Sequence, residues 1–553
     1  MRSSQSAILA VFLLFCIRKC CFGWLSGDWL GENHSFRTRQ RPEFNWKHRV
    51  PRFSITESNA LDPTAIAHIV RNTYNFTLPP VQLRRSLAYL GGAARLRRVV
   101  QKLALGSQPG IKIAVIGGSI SYGEFAHEKG RTDWFSIFAK WLISAFPRAN
   151  ITARNGCTPG VPTPYMIMCL ELSVDTDVDL VFMEYTLNDA HSVQGHHEEA
   201  KLLDNPIVKD AERLVRRVLA LPQRPAVVFM HSPPCGMASY PVGHPKNPKD
   251  MPYRSFPMTS EDIQGAISQY YDVQYLSMRT AMYRLAVHKQ ELGFLWEDMF
   301  VDHHPGDHGH KIIADLAVNL IQQVALGLFL EPYGREDEEV VWEALPAPMY
   351  DGNSAPNSVM CRAADSFKQL VVLSEGFDYI NEGTAIKPKP GFVSTQPGSR
   401  LQLRVDTDRS AVGSPPDGMV HVYLHHLRSY EHMGIAAISC VSGCSCQEVT
   451  VDALIQHRVS QVYLAGLTVT QSPDCIIQVK VLEQTNSGEH KFKVSGVVVA
   501  EAAGKQNGLP GLNAAHNQEF GLRQHLDEQN GINEMTFTSH DQRHSVQQGL
   551  GAL

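Results

Sequence analysis

From about Lys112 onward, short β-branched runs alternate with segments of helical periodicity. IKIAVIGG is followed by a helical pattern around Trp134–Phe146, and NITARNG by one near Tyr165–Leu172. DLVFMEY precedes a helical stretch over Asp210–Leu221, and AVVFMHS precedes a last helix from about Gly309 to Leu328. Near-continuous apolar runs interleaved with helices predict an α/β unit, a parallel sheet covered on both faces, over residues 105–330. Ligands of such sheets sit at the carboxyl ends of the strands. After Phe329 the acidic, proline-containing stretch GREDEEVVWEALPAP reads as a linker, residues 331–364. Beyond it the period changes. LQLRV, MVHVYL, CIIQVKV and FKVSGVVVA, separated by Gly, Pro, Ser and Asp, predict a smaller all-β, sandwich-like unit over 365–502.

The two ends follow other rules. Met1-Arg2 and the apolar run Ala7–Ile17 are too short to cross a bilayer comfortably and read as a signal peptide over 1–23. The Arg18-Lys19 flank leaves an uncleaved anchor as the alternative. Either sends the body of the chain into the secretory pathway, with 24–104 as an N-terminal extension and no stable membrane insertion expected. Residues 503–553, rich in Gln, Asn, Gly and His, read as a disordered tail.

A secretory route bears on the cysteines. Eight of the eleven lie beyond the leader, at 157, 169, 235, 361, 440, 444, 446 and 475, an even set expected to form disulfides. The Cys440-x3-Cys444-x-Cys446 cluster matches no common zinc pair, so neither a metal nor another cofactor is expected. Sequons at Asn33, Asn75 and Asn150 are candidate glycosylation sites. A net charge of −4, with no long basic run, offers no footprint for nucleic acid or an anionic membrane. A neutral partner is expected.

Candidate chemistry gathers at predicted strand ends. Ser119, in IAVIGGSISYGEF, occupies a glycine-flanked strand-to-helix turn where the backbone turns sharply and a substrate carbonyl can approach. The alternative is a serine that only caps the next helix. Arg154-Asn155-Gly156-Cys157 offers the Gly156 N–H, and Glu184-Tyr185-Thr186-Leu187-Asn188-Asp189 offers the Asn188 amide. Late in the unit comes Val301-Asp302-His303-His304-Pro305-Gly306-Asp307-His308-Gly309-His310. Together these supply a nucleophile (Ser119), a base (His304), its orienting carboxylate (Asp302) and two oxyanion donors (Gly156, Asn188).

Ser119, Gly156, Asn188 and His304, in this order and with these neighbours, resemble the four blocks of the SGNH (GDSL-type) hydrolases over roughly residues 112–330. The resemblance implies a flavodoxin-like three-layer α/β/α domain and acyl-ester chemistry. Two positions depart from the family pattern: Gly118 stands where Asp is usual, and Asp302 lies two, not three, residues before His304. Asp307 with His310 has the family spacing and is the alternative pair. Stretches such as LRSYEHMGIAAISCVSGCSC and HKFKVSGVVV resemble the accessory module of plant and algal members.

The resulting expectation is a secreted serine ester hydrolase that removes acyl groups, acetyl foremost, from an O-acylated extracellular glycan. A lipase or phospholipase, a glycan O-acyltransferase and a catalytically silent glycan-binding protein are the alternatives. His191, His196, His197, Glu198 and Glu199 read as a solvated loop, and Trp134 and Tyr185 as core. His231 reads as either a rim residue or a buried, hydrogen-bonded histidine, and Cys157 as paired or packed. Tyr423, Tyr430 and Tyr463 read either as sandwich core or as sugar platforms.

Overall fold

The computed structural model describes residues 74–106, 109–159, 163–189, 206–232, 260–288, 299–301, 304–355, 359–384, 388–412, 418–456 and 460–501. The signal peptide, the C-terminal tail, Asn33, Cys235, Asp302 and the cluster from His191 to Glu199 lie outside them.

The first sheet holds β1 (Leu87–Tyr89), β2 (Ile111–Gly117), β3 (Ile151–Asn155), β4 (Leu180–Glu184), β5 (Ala226–His231) and β6 (Gln274–Ser277). Its order is β1-β6-β5-β4-β2-β3; β2 to β6 run parallel and β1 adds antiparallel to β6. Successive residues of a strand face opposite sides. Accordingly Ile113, Val115, Phe182 and Val228 enter one core, and Ala114, Ile116, Met183 and Phe229 the other. Helices Ala94–Leu105, Trp134–Ala145 and Asp307–Leu330 cover the first face, and Thr163–Ser173, Pro206–Leu219 and Ser260–Tyr271 the second. The helix Asp307–Leu330 is long and apolar enough to cross a membrane, yet it is largely buried in the first core.

In chain order the five parallel strands lie 2-1-3-4-5, so the winding reverses between β2 and β4. A doubly wound sheet opens its ligand crevice at that point, outside the strands' carboxyl ends.

Two boundaries differ from those expected of the sequence. The α/β unit starts before residue 105: β1 and the helix Ala94–Leu105 belong to it, and Asp315 Oδ2 accepts from the N–H groups of Thr77 and Leu78. The stretch read as a linker contains the helix Arg335–Trp342, strapped to the unit by Arg97–Asp337 (2.8 Å) and by Arg98 over the Trp342 ring. Buried Glu212 fastens the rest, accepting from the Met349 and Tyr350 N–H groups and from Asn353 Nδ2.

The second region is a sandwich of two antiparallel sheets. Its strands are β7 (Val359–Ala363), β8 (Val371–Glu375), β9 (Asp378–Asn381), β10 (Pro390–Ser394), β11 (Arg400–Val405) and β12 (Met419–Arg428), then β13 (Ile435–Ser442), β14 (Val449–Asp452), β15 (Gln461–Thr470), β16 (Cys475–Val481) and β17 (Phe492–Glu501). One sheet runs β15-β12-β17-β10-β9 with β7 also on β17; the other runs β14-β13-β16-β11-β8. Leu401, Leu403 and Val479 of one sheet meet Val422, Leu424 and Val497 of the other.

The outer face of the sandwich sheet β15-β12-β17-β10-β9 is apolar as well. Tyr423, Tyr463 and Val498 pack into the α/β unit's second core beside Met166 and Leu170. Tyr423 and Tyr463 are therefore core residues rather than sugar platforms; Tyr430 is exposed. The Cys169–Cys361 disulfide locks this contact, and Cys440–Cys446 and Cys444–Cys475 staple the sandwich. Cys157 corrects the expectation of complete pairing: it is a free, buried thiol, and burial pushes its pKa well up.

Candidate active site

Two glycines fix the turn that carries Ser119. A Cβ at Gly117 would come 2.4 Å from the Glu184 carbonyl oxygen, so β2 and β4 can close together at this point only around a glycine. Gly118 N–H donates to that same carbonyl at 3.2 Å. A Cβ at Gly118 would come 1.7 Å from Asn188 Oδ1. The Asn188 amide thus occupies the space that a side chain at position 118 would take.

Ser119 then opens the short helix Ser119–Tyr122, and its Oγ lies 2.6 Å from His304 Nε2. Both residues are more than nine-tenths buried. The His304 loop is braced by Val301 N–H to His304 O (3.0 Å), by a bridge between Phe300 and Pro305, and by Gly306 N–H to Met299 O. A Cβ at Gly309 would sit 2.4 Å from Met299 O, so this glycine lets the last helix start against the loop. Phe125 places its ring 5.6 Å from the His304 ring, with φ at +61°, a conformation that a bulky residue holds only when its surroundings impose it.

Each member of the alternative pair hydrogen-bonds elsewhere. His310 Nε2 donates to Glu124 O at 3.2 Å, and burial lowers the His310 pKa. Asp307 Oδ1 accepts from His127 N–H and Thr132 Oγ1, both at 2.8 Å.

Asn188 lies in the turn Thr186–Asp189 beyond β4, and its Oδ1 has no hydrogen-bond partner among the described residues. Asp189 anchors that turn by accepting from Thr163 N–H (2.8 Å) and Thr163 Oγ1 (2.6 Å); burial raises its pKa to about 7.

Gly156 requires a correction. Its N–H donates to Val115 O at 2.9 Å, continuing the β2–β3 ladder, and so is not a free oxyanion donor. Its neighbours are engaged too: Cys157 N–H with Asn155 Oδ1, and Thr158 N–H with Gly117 O. A Cβ at 156 would meet Ser173 O at 2.1 Å, so the glycine serves packing.

Glu184, Ser121 and Trp134 form a chain that sequence reasoning did not single out. Trp134 Nε1 donates to Ser121 Oγ (3.0 Å), which donates to Glu184 Oε2 (3.1 Å). The signal was present: DLVFMEY carries one carboxylate at the end of an apolar strand. His231 is the buried histidine of its two readings. Its Nδ1 pairs with Thr186 Oγ1 at 3.0 Å, and burial first, with Arg279 adding, pushes its pKa down to about 3.

No known protein family and no curated protein sequence matches the chain. Solved structures do. Two crystal structures of a two-domain esterase active on acetylated mannans, one co-crystallized with mannopentaose, share the fold at TM-score 0.52. They are 17% and 18% identical, and the matches cover 77% and 76% of this chain and 99% of each of theirs. Fold and site together define an α/β unit joined to a β-sandwich, with a buried serine–histidine pair at the parallel sheet's switch point.

Proposed function

We propose that the chain is a secreted carboxylic ester hydrolase of the SGNH type, with a flavodoxin-like α/β/α domain, that removes acetyl groups from an extracellular glycan. The observation that carries this reading is the 2.6 Å contact between Ser119 Oγ and His304 Nε2 at the switch point. The fold shared with an esterase active on acetylated mannans supports the substrate class.

In this mechanism His304 removes the Ser119 proton as Oγ attacks the ester carbonyl, and Asp302 orients the imidazole and stabilises its charged form. The Ser119 N–H and the Asn188 amide receive the developing oxyanion. His304 then protonates the departing sugar oxygen, and water, activated by the same imidazole, releases acetate from Ser119. The sandwich is bonded to the α/β unit, with Tyr423 and Tyr463 buried in the joint.

Acetate release from a panel of acetylated polysaccharides, mannan and xylan included, tests the reading, with p-nitrophenyl esters of increasing chain length as controls. The proposal expects acetate from at least one polymer and falling rates as the acyl chain lengthens. Preference for long acyl chains with no release from any glycan overturns the glycan assignment.

A further inference from the structure

Glu184 is fully buried at the carboxyl end of β4, directly under the nucleophile's turn. Its backbone carbonyl accepts from the N–H of Gly118, the residue before Ser119, and its side chain accepts from Ser121, two residues after Ser119. It therefore holds both shoulders of the turn. Glu184 Oε1 has no hydrogen-bond partner among the described residues, and no lysine, arginine or histidine there pairs with the carboxyl. The titratable groups that face it are Asp189 from the following turn, the Cys157 thiol from the segment after β3, and the adjacent Tyr185. None brings positive charge. A buried carboxylate whose hydrogen bonds come from Ser121 alone and that has no cation beside it is strongly disfavoured, so the group keeps its proton.

On the reading that Ser119 is the nucleophile, we propose that Glu184 is a positioning residue that holds the Gly117-Gly118-Ser119 turn only while uncharged, and that its ionisation ends activity on the alkaline side. Desolvation pushes its pKa up to about 8, within reach of ordinary assay conditions. Once ionised, the carboxylate needs water that the closed turn excludes. Its charge also opposes an oxyanion forming above the same turn.

Glu184→Gln retains shape and one acceptor but cannot ionise. The proposal expects wild-type kcat to fall as pH rises through about 8. The Gln variant, a few-fold slower at neutral pH, shows no such fall. A readout independent of catalysis is the Trp134 indole N–H, which reaches Glu184 through Ser121. Its nuclear magnetic resonance signal, assigned by its loss in Trp134→Phe, titrates with the same midpoint in wild type and stays constant in Glu184→Gln. An alkaline limb that persists unchanged in the Gln variant overturns the proposal. If the indole titrates as expected but no ester is hydrolysed, the buried acid stands, and both the esterase reading and the positioning role of Glu184 in it fall.

Discussion

The side-chain amide of Asn188 lies so close to Gly118 that a Cβ at 118 would come within 1.7 Å of Asn188 Oδ1. Gly118→Ala therefore displaces the amide or the turn. With kcat measured on p-nitrophenyl acetate, a loss of ~10²-fold, the scale of one removed oxyanion donor, is expected. Wild-type kcat in this variant would show that the amide plays no part.

Asn188→Ala removes the proposed donor itself. Its effect should fall on kcat, by ~10²–10³-fold, with KM little changed, because the interaction is made in the transition state. Proportionate loss through KM alone would place Asn188 in ground-state binding.

Glu184 also makes stability depend on pH. Its folded pKa of about 8 lies above the ordinary value of 4.5, so between these values the native protein keeps a proton that the unfolded chain releases. Stability contributed by this group is full below about 4.5, falls as pH rises to about 8, and stays low above. The Tm of Glu184→Gln relative to wild type should be more favourable at pH 8.5 than at pH 5; a pH-independent difference would contradict this.

The joint between sandwich and α/β unit makes a further prediction. Cys361→Ser breaks the disulfide to Cys169, and Tyr463→Ala leaves a cavity in the shared core. Loss of a large buried aromatic typically destabilises by ~3–5 kcal/mol. Thermal unfolding of the full chain should show a markedly lower Tm for Tyr463→Ala. An unchanged Tm would mean the joint is not part of the cooperative fold.

Much of this was legible in the residues alone. The runs IKIAVIGG, NITARNG and DLVFMEY located three strand ends, and alternation in LQLRV and MVHVYL located the sandwich. What stayed hidden depends on contacts between elements. Gly156 looked like an open donor because sequence does not reveal that β3 still pairs with β2 at Val115. Tyr423 and Tyr463 follow the same alternation as a solvent-facing pair would, since period alone does not say what covers a sheet's outer face. The charged helix Arg335–Trp342 reads as a linker because its anchors, Arg97 and Arg98, lie more than two hundred residues earlier.

Labelling by a fluorophosphonate reports on the Ser119–His304 pair itself. Wild type is expected to be labelled at Ser119, Ser119→Ala and His304→Ala are not, and His310→Ala, folded, still is. Undiminished labelling of Ser119→Ala, or labelling lost with His310→Ala and kept with His304→Ala, would contradict it.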